Sequence, residues 1–89
     1  MRKIIQQTQF KKDLKKISRS GCYQIDDLFS IIEKLIHDKP LDTKHNNHNL
    51  TGDWNDYSEC HIKPDWLLIY KLEPEKVILV RTGSHSELF

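Results

Sequence analysis

Ionisable side chains flank two apolar runs in the second half of the chain. His61 and Asp65 come just before the run WLLIYKL, and Arg81 and His85 close the run that begins KVILV. Histidines and a carboxylate can move protons near neutral pH, and an arginine fork can hold a phosphate and stabilise its developing charge. These are the groups that metal-free cleavage of RNA requires. The ribose 2′-hydroxyl is the attacking group in that reaction, so DNA cannot react in this way.

The two apolar runs predict a buried β-hairpin. Residues 66–70 and 77–80 are each too short for a typical helix, and Glu73-Pro74-Glu75 separates them. Because an antiparallel pair brings the start of one strand beside the end of the next, the ionisable groups should converge at one end of a rigid platform. We expect Gly83 to let the chain turn tightly there and to aim His85 at the phosphate.

The first half of the chain predicts a short strand followed by two helices. Thr8 is the expected N-cap of the first helix, which ends at Ser20-Gly21, and a second amphipathic helix is expected from about residue 23 to residue 37. Pro40 prevents its continuation. The order strand, two helices, three strands predicts a single α+β domain over residues 1–89, in which a helical hairpin covers one face of a largely antiparallel sheet.

Charge is distributed unevenly along the chain, although the formal net charge is only +1. Residues 1–48 hold ten Lys and Arg against six Asp and Glu, whereas residues 49–89 hold four against seven. The basic half is therefore the better docking surface for an anionic partner. Its first helix carries a lysine stripe, which we define as Lys11, Lys12, Lys15 and Lys16. Spacing alone leaves open both a solvated face and a phosphate-binding surface.

The spacing of the cysteines and histidines indicates the cellular compartment of the protein and whether it binds a metal or other cofactor. Cys22 and Cys60 lie far apart without C-x-x-C spacing, and no long apolar segment opens the chain, which predicts a cytoplasmic protein with two free thiols and no membrane contact. The five histidines include no zinc-ligand spacing, so no metal or other cofactor is expected. His45 and His48 fall in the polar stretch 38–52, where we expect a surface loop.

Two aromatic residues allow two interpretations each. Trp66 either belongs to the core or stacks on a base beside the cleaved bond, and Phe89 is either a C-terminal plug or a second stacking ring.

Three segments, NHNLTGDW, HIKPDWLLIYKL and RTGSHSELF, resemble the YafQ branch of the RelE/ParE superfamily, the toxins of bacterial type II toxin–antitoxin pairs. The resemblance runs nearly end to end and is weakest in the two helices. It implies a RelE-like fold and a ribosome-dependent endoribonuclease that cuts mRNA in the decoding site of the 70S ribosome. It also implies a DinJ-like antitoxin that neutralises the toxin, with operator DNA contacted only indirectly through that antitoxin.

The same resemblance implies an active site. The family's positions fall on His48 in NH-x-L, on His61 and Asp65 in H-x-x-P-D-W, and on Arg81 and His85 in R-T-G-x-H. By analogy, His85 is the general acid, Asp65 acts with His48 or His61 as base or substrate clamp, and Arg81 holds the scissile phosphate. The expected RNA contacts are Lys11, Lys12, Lys15, Lys16, Lys63, Trp66 and Phe89.

Two alternatives from other functional classes stay open. A ParE-type relative shares the fold but poisons DNA gyrase through protein contacts, and it lacks the histidine set found here. A non-catalytic binding module, such as a corepressor within a toxin–antitoxin complex, is the second alternative. Since Arg81 and His85 are expected at a strand end, replacing either by alanine should cost no more than roughly 1 kcal/mol of stability.

Overall fold

The computed structural model describes residues 2–21, 23–41, 45 and 57–88, together with the backbone of residues 48–49. In chain order, its elements are β1 (Lys3–Gln6), α1 (Thr8–Ser20), α2 (Ile25–Ile36), β2 (His48–Asn49), β3 (Ser58–Lys63), β4 (Trp66–Leu72), β5 (Lys76–Gly83) and α3 (His85–Leu88). The predicted α+β class and the two-helix hairpin are confirmed.

All five strands join one sheet in the order β1-β5-β4-β3-β2. Among the described strands, β1 and β5 run parallel and the other three neighbouring pairs are antiparallel, as expected for a largely antiparallel sheet. The predicted hairpin is β4 with β5, in which Leu67 pairs with Gly83 and Leu72 pairs with Val77. A tight turn at Pro64-Asp65 joins β3 to β4. The ionisable residues that precede the hairpin therefore lie on an adjoining strand and in this turn.

Burial on both faces of the sheet explains the unbroken apolar run of β4. Trp66, Leu68 and Tyr70 belong to the core formed with the two long helices, whereas Leu67 and Ile69 belong to a second apolar cluster on the opposite face. All five side chains are buried. A strand that is buried on both faces does not need to alternate apolar and polar residues.

Helix α1 begins one residue earlier than its sequence indicates. Gln7 occupies the N-cap position with extended backbone angles and no side-chain hydrogen bond, so Thr8 is the first helical residue and not the cap. The helix ends at Gly21, whose φ of 73° is the left-handed conformation that glycine adopts most readily. In α2, Phe29 is 52% exposed, although its position fits the apolar spacing.

Two short elements were absent from the sequence prediction. Strand β2 lies inside the stretch expected to be a loop. It forms through antiparallel pairing with β3, in which His48 lies opposite Glu59. Helix α3 follows the last strand, and the Glu87 side chain accepts a hydrogen bond from the Ser84 backbone N–H over 2.9 Å. This S-x-x-E arrangement is a helix-capping pattern that the sequence contains. Within the described residues, no helix is long and apolar enough to cross a membrane.

Candidate active site

The sheet register lines up four positions across four strands. His48 pairs with Glu59, Glu59 with Ile69, and Ile69 with Arg81. Neighbouring strands are about 4.8 Å apart, so this row brings candidate residues from distant parts of the chain within about 15 Å of one another. Only the backbone of His48 is described, and the position of its side chain lies outside the described residues.

The adjacent row brings the two remaining candidate histidines together. His61 pairs with Leu67, and Leu67 pairs with Gly83, two residues before His85. The ring centroids of His61 and His85 are 6.3 Å apart. Gly83 has a φ of 153°, and a Cβ at this position would lie 3.3 Å from a carboxylate oxygen of Glu87. Glycine is therefore suited to this sharp change of direction before α3.

Asp65 lies beside His85 because the β3–β4 turn faces the start of α3. Its Oδ1 accepts a hydrogen bond from the backbone N–H of His85 over 3.2 Å. Both residues are exposed. The carboxylate therefore anchors the backbone that carries one imidazole, while it stays open to solvent and to a ligand.

His61 has a carboxylate partner that the sequence analysis missed. Its Nε2 lies 3.2 Å from Oε1 of Glu59, and its Nδ1 lies 3.4 Å from the backbone oxygen of Pro64. Glu59 is only 5% exposed. Residues two apart on a strand project from the same face, so the spacing of Glu59 and His61 was a usable signal. The contact places a carboxylate against the imidazole at the edge of the site.

His45 was expected on the loop surface, but it is buried. Its Nδ1 lies 2.7 Å from the backbone oxygen of His61. A carbonyl oxygen only accepts, so Nδ1 is the donor. The bond coincides with a register irregularity between His61 and Lys63, where the regular ladder is interrupted. His45 therefore supports the strand that presents His61.

Arg81 lies beyond the part of β5 that pairs with β1, since that pairing ends at Leu79. Its Nε donates to Oδ2 of Asp13 over 2.9 Å, and its Nη2 donates to Oδ1 over 3.1 Å. Hydrogen bonding to Asp13 raises the pKa of Arg81 above its ordinary value, although burial acts in the opposite direction. The guanidinium is thus charged and held in a fixed plane. Asp13, the only acidic residue of α1, was not singled out from the sequence.

The lysine stripe lies on the exposed face of α1. Lys12, Lys15 and Lys16 line a groove of about 360 Å³ together with Arg19 and Ser20. Lys16 also contacts Glu87 of α3, with 2.6 Å between Nζ and Oε2. The groove adds Arg19 to the predicted basic surface.

Lys63 is exposed at the end of β3. Its Nζ lies 3.4 Å from Oδ2 of Asp27 in α2, so this predicted RNA contact has an ionic partner within the protein.

Trp66 is 1% exposed, which corrects its assignment as an RNA contact. Its Nε1 donates to Oγ1 of Thr82 over 2.9 Å, and its ring packs edge-on against Tyr23 with centroids 4.9 Å apart. A ring enclosed in this way presents no face to a base, so Trp66 belongs to the core beneath the site. Phe89, the other aromatic candidate, lies outside the described residues.

Metal and thiol chemistry have limited support in the described part of the chain. No group of three or more His, Cys, Asp or Glu side chains there is arranged to hold a metal ion. Cys60 is a buried free thiol, and desolvation raises its pKa to about 12. It is therefore protonated and unsuited to act as nucleophile or ligand near neutral pH. Cys22, the other cysteine, lies outside the described residues.

Comparison with known proteins gives a consistent result. Residues 2–89 match the family model described as the bacterial toxin of type II toxin–antitoxin system, YafQ. The mRNA interferase toxin YafQ of Escherichia coli strain K12 is 35% identical over 82 residues, which cover 91% of this chain and 88% of that protein.

Solved structures agree with the family match. A copper-bound mutant toxin from Helicobacter pylori is 40% identical, covers both chains completely and superposes with a TM-score of 0.94. In the E. coli DinJ-YafQ complex, the matching chain is 34% identical with a TM-score of 0.88, over 100% of this chain and 99% of that one. The chain belongs to the YafQ family of bacterial type II toxin–antitoxin toxins.

Proposed function

We propose that this toxin is a ribosome-dependent endoribonuclease that cuts mRNA in the decoding site and so blocks translation. The observation that carries the proposal is the pair of imidazoles at one end of the sheet, His61 and His85, with ring centroids 6.3 Å apart. We expect both rings to lie beside one phosphodiester at this separation. The activity in the name of the E. coli relative, an mRNA interferase, supports the same reaction.

The proposed reaction divides proton transfer between the two sides of the phosphate. A base made of Asp65 with His61 or His48 removes the proton of the ribose 2′-hydroxyl, and the oxygen attacks the adjacent phosphorus. The bond to the 5′-oxygen breaks as His85 donates a proton to that oxygen. The products are a 2′,3′-cyclic phosphate and a free 5′-hydroxyl.

Arg81 has the role of stabilising the phosphate as negative charge accumulates on it. Two of its nitrogens are bonded to Asp13, which leaves Nη1 for the substrate. Such a contact matters most when it is stronger in the transition state than in the ground state.

Glu59 supports the base side, because its Oε1 lies 3.2 Å from Nε2 of His61 and so helps to orient the imidazole. No step of this mechanism passes through a metal.

The basic groove on α1 is the proposed contact with ribosomal RNA. Its lysines lie on the exposed face of one helix, and phosphate contacts of this type release counterions and give salt-dependent binding. Lys63 and Phe89 remain proposed contacts to the mRNA beside the cleaved bond.

A DinJ-like antitoxin is the proposed neutralising partner, since a relative has been solved in a DinJ-YafQ complex. Binding to operator DNA would then occur through the antitoxin. We place the toxin in the cytoplasm, where its ribosomal target is found.

Expression without an antitoxin tests the proposal. Pulse labelling should show that amino-acid incorporation into protein stops before thymidine incorporation into DNA. Purified toxin added to programmed 70S ribosomes should cut the mRNA and leave a 2′,3′-cyclic phosphate end. Arrest of DNA synthesis first would favour a gyrase poison, and the absence of both effects would favour a non-catalytic corepressor.

A further inference from the structure

Asp13 makes four hydrogen bonds that converge from three directions. Besides the two from Arg81, the backbone N–H of Thr82 donates to its Oδ2 over 3.3 Å, and Nε2 of Gln9 donates to its Oδ1 over 3.2 Å. The residue is only 8% exposed. Its carboxylate is therefore held by its own helix and by the end of β5 before it orients Arg81.

This bidentate contact fixes the direction of the guanidinium. An arginine has five N–H groups, and Asp13 engages one on Nε and one on Nη2, so three remain. Among the residues that the structure describes, Nη1 makes no hydrogen bond. Arg81 also borders a cleft of about 270 Å³, which Lys12 and Lys16 line from the α1 side. Asp13 and Glu87 also line this cleft, and we expect a phosphate that enters it to bind the N–H groups of Arg81 that Asp13 does not engage.

We propose that Asp13 is a positioning residue, which holds Arg81 in the orientation that binds the scissile phosphate. The inference rests on the proposed function of Arg81 and adds a residue outside the three segments that resemble the family. A single-bonded or unpaired guanidinium rotates among rotamers, whereas a bidentate one is already aligned when the substrate arrives.

Charge neutralisation is the competing role for Asp13. A carboxylate beside Arg81 also lowers the net positive charge that a phosphate encounters. If neutralisation dominated, removal of the carboxylate charge would leave cleavage unchanged or would increase it. Positioning predicts the opposite sign, so the direction of the effect separates the two roles.

The experiment compares Asp13→Asn, Arg81→Ala and the double variant in single-turnover cleavage on programmed 70S ribosomes, with ribosome affinity measured separately. Asp13→Asn keeps the size of the side chain but loses the second acceptor and the charge. We expect its maximal cleavage rate to fall about 10- to 100-fold with ribosome affinity unchanged, since small misplacements of a reacting group cost this much. Asp26→Asn, the same change at an exposed position of α2, is the matched control and should cleave like the unaltered toxin.

Rescue of cleavage by added guanidinium ion is a measurement that a purely structural role of Asp13 would not affect. Added at low millimolar concentration, the ion should restore part of the activity of Arg81→Ala, because the Asp13 carboxylate can bind it where the side chain was removed. The double variant should not respond. Equal recovery in both variants would overturn the positioning role.

The experiment separates failure of the proposed function from failure of the role proposed for Asp13. If the unaltered toxin does not cut mRNA on ribosomes, the proposed function fails. If it cuts, and Arg81→Ala is impaired while Asp13→Asn is not, only the present inference fails. Thermal melts confirm that each variant is folded at the assay temperature. Should Asp13→Asn melt below it, Asp13→Glu replaces it, and that variant must also lower the maximal rate, because the longer carboxylate displaces the guanidinium.

Discussion

Lys16 on α1 and Glu87 on α3 form an ion pair that joins the two ends of the chain, with 2.6 Å between Nζ and Oε2. Glu87 also accepts the backbone N–H of Ser84 through its other oxygen, Oε1. The contact ties the short helix that carries His85 to α1. A lysine predicted to bind RNA therefore also holds part of the candidate active site.

The pair makes stability dependent on pH in the acid range. Hydrogen bonds from Lys16 and then from Ser84 lower the pKa of Glu87 from 4.5 to about 2. A carboxyl group whose folded pKa is lowered stabilises the protein above its unfolded pKa and loses that effect as pH falls towards the folded pKa. Because Lys16 is largely exposed, solvent screening keeps the contribution small.

Chemical denaturation of the unaltered protein and of Glu87→Gln at several pH values measures this contribution. The variant should be less stable at pH 7, and the difference should shrink between about pH 4.5 and pH 2. Lys16→Glu should be destabilised in the same way, and the exchanged pair Lys16→Glu with Glu87→Lys should recover part of the loss. A difference that stayed constant down to pH 2 would rule out the ion pair as its source.

Glu59→Gln should slow cleavage while the toxin stays folded. The substitution keeps the size of the side chain and removes the negative charge beside His61. If His61 takes up a proton in the reaction, the loss should be about 10- to 100-fold, at the low end of general acid–base effects. Single-turnover cleavage across pH 6–9 measures it. Glu33→Gln, on the exposed surface of α2, serves as control. An unchanged rate and pH profile would leave Glu59 with a structural role only.

The lysine stripe should control ribosome binding. Lys11→Glu combined with Lys15→Glu should weaken association with 70S ribosomes and reduce its salt dependence. The variant contacts fewer phosphates, so its binding releases fewer counterions. Lys16 is left unchanged because it pairs with Glu87. The matched control is Lys39→Glu combined with Lys76→Glu, which changes the net charge equally at two exposed positions away from α1. If both double variants lost affinity equally, net charge rather than the stripe would be responsible.

Much of the fold followed from short-range patterns. The apolar runs at residues 66–70 and 77–80 predicted β4 and β5, and helical spacing predicted α1 and α2, because each signal lies within one element. Strand β2 was missed since two residues carry no periodicity, and its pairing depends on β3. Helix α3 could have been found from the capping pattern that Ser84 and Glu87 form.

The site was less predictable for a related reason. A tryptophan can belong to the core or contact a ligand, so the residue type of Trp66 does not predict its role. Its contacts with Thr82 and Tyr23 show that it belongs to the core. Asp13 is 68 residues away from Arg81, so no local pattern joins them. The same contact revises the expected stability of Arg81→Ala. Because the change leaves a buried carboxylate without its charged partner, we now expect a loss of about 1–3 kcal/mol.

Cleavage should not depend on a metal bound to the toxin, since the proposed acid, base and phosphate contact are all side chains. A copper-bound form of a 40% identical relative makes the test worthwhile. The toxin alone is treated with a chelator, desalted and added to ribosomes in magnesium buffer, with its metal content measured before and after. We expect full activity without bound transition metal. Activity lost on chelation and restored by stoichiometric copper or zinc would contradict the metal-free mechanism.

His85→Ala tests the assignment of the general acid. Loss of a positioned acid costs about 10²- to 10⁴-fold in rate, so single-turnover cleavage on programmed ribosomes should fall by this factor and expression should no longer arrest growth. His85 is exposed, and substitutions at such positions change stability by about 0.5 kcal/mol or less. The variant should therefore melt normally and still bind ribosomes and the antitoxin.

The control for this test is His37→Ala, which removes an exposed histidine at the end of α2 and should leave cleavage unchanged. An mRNA with a sulfur in place of the 5′-oxygen at the cleaved bond adds a second check. Sulfur is a better leaving group that needs little protonation, so this substrate should recover much of the rate in His85→Ala and little in Arg81→Ala. Near-normal cleavage of ordinary mRNA by His85→Ala would move the acid role to His61 or His48. Equal recovery by sulfur in both variants would show that His85 and Arg81 share one function.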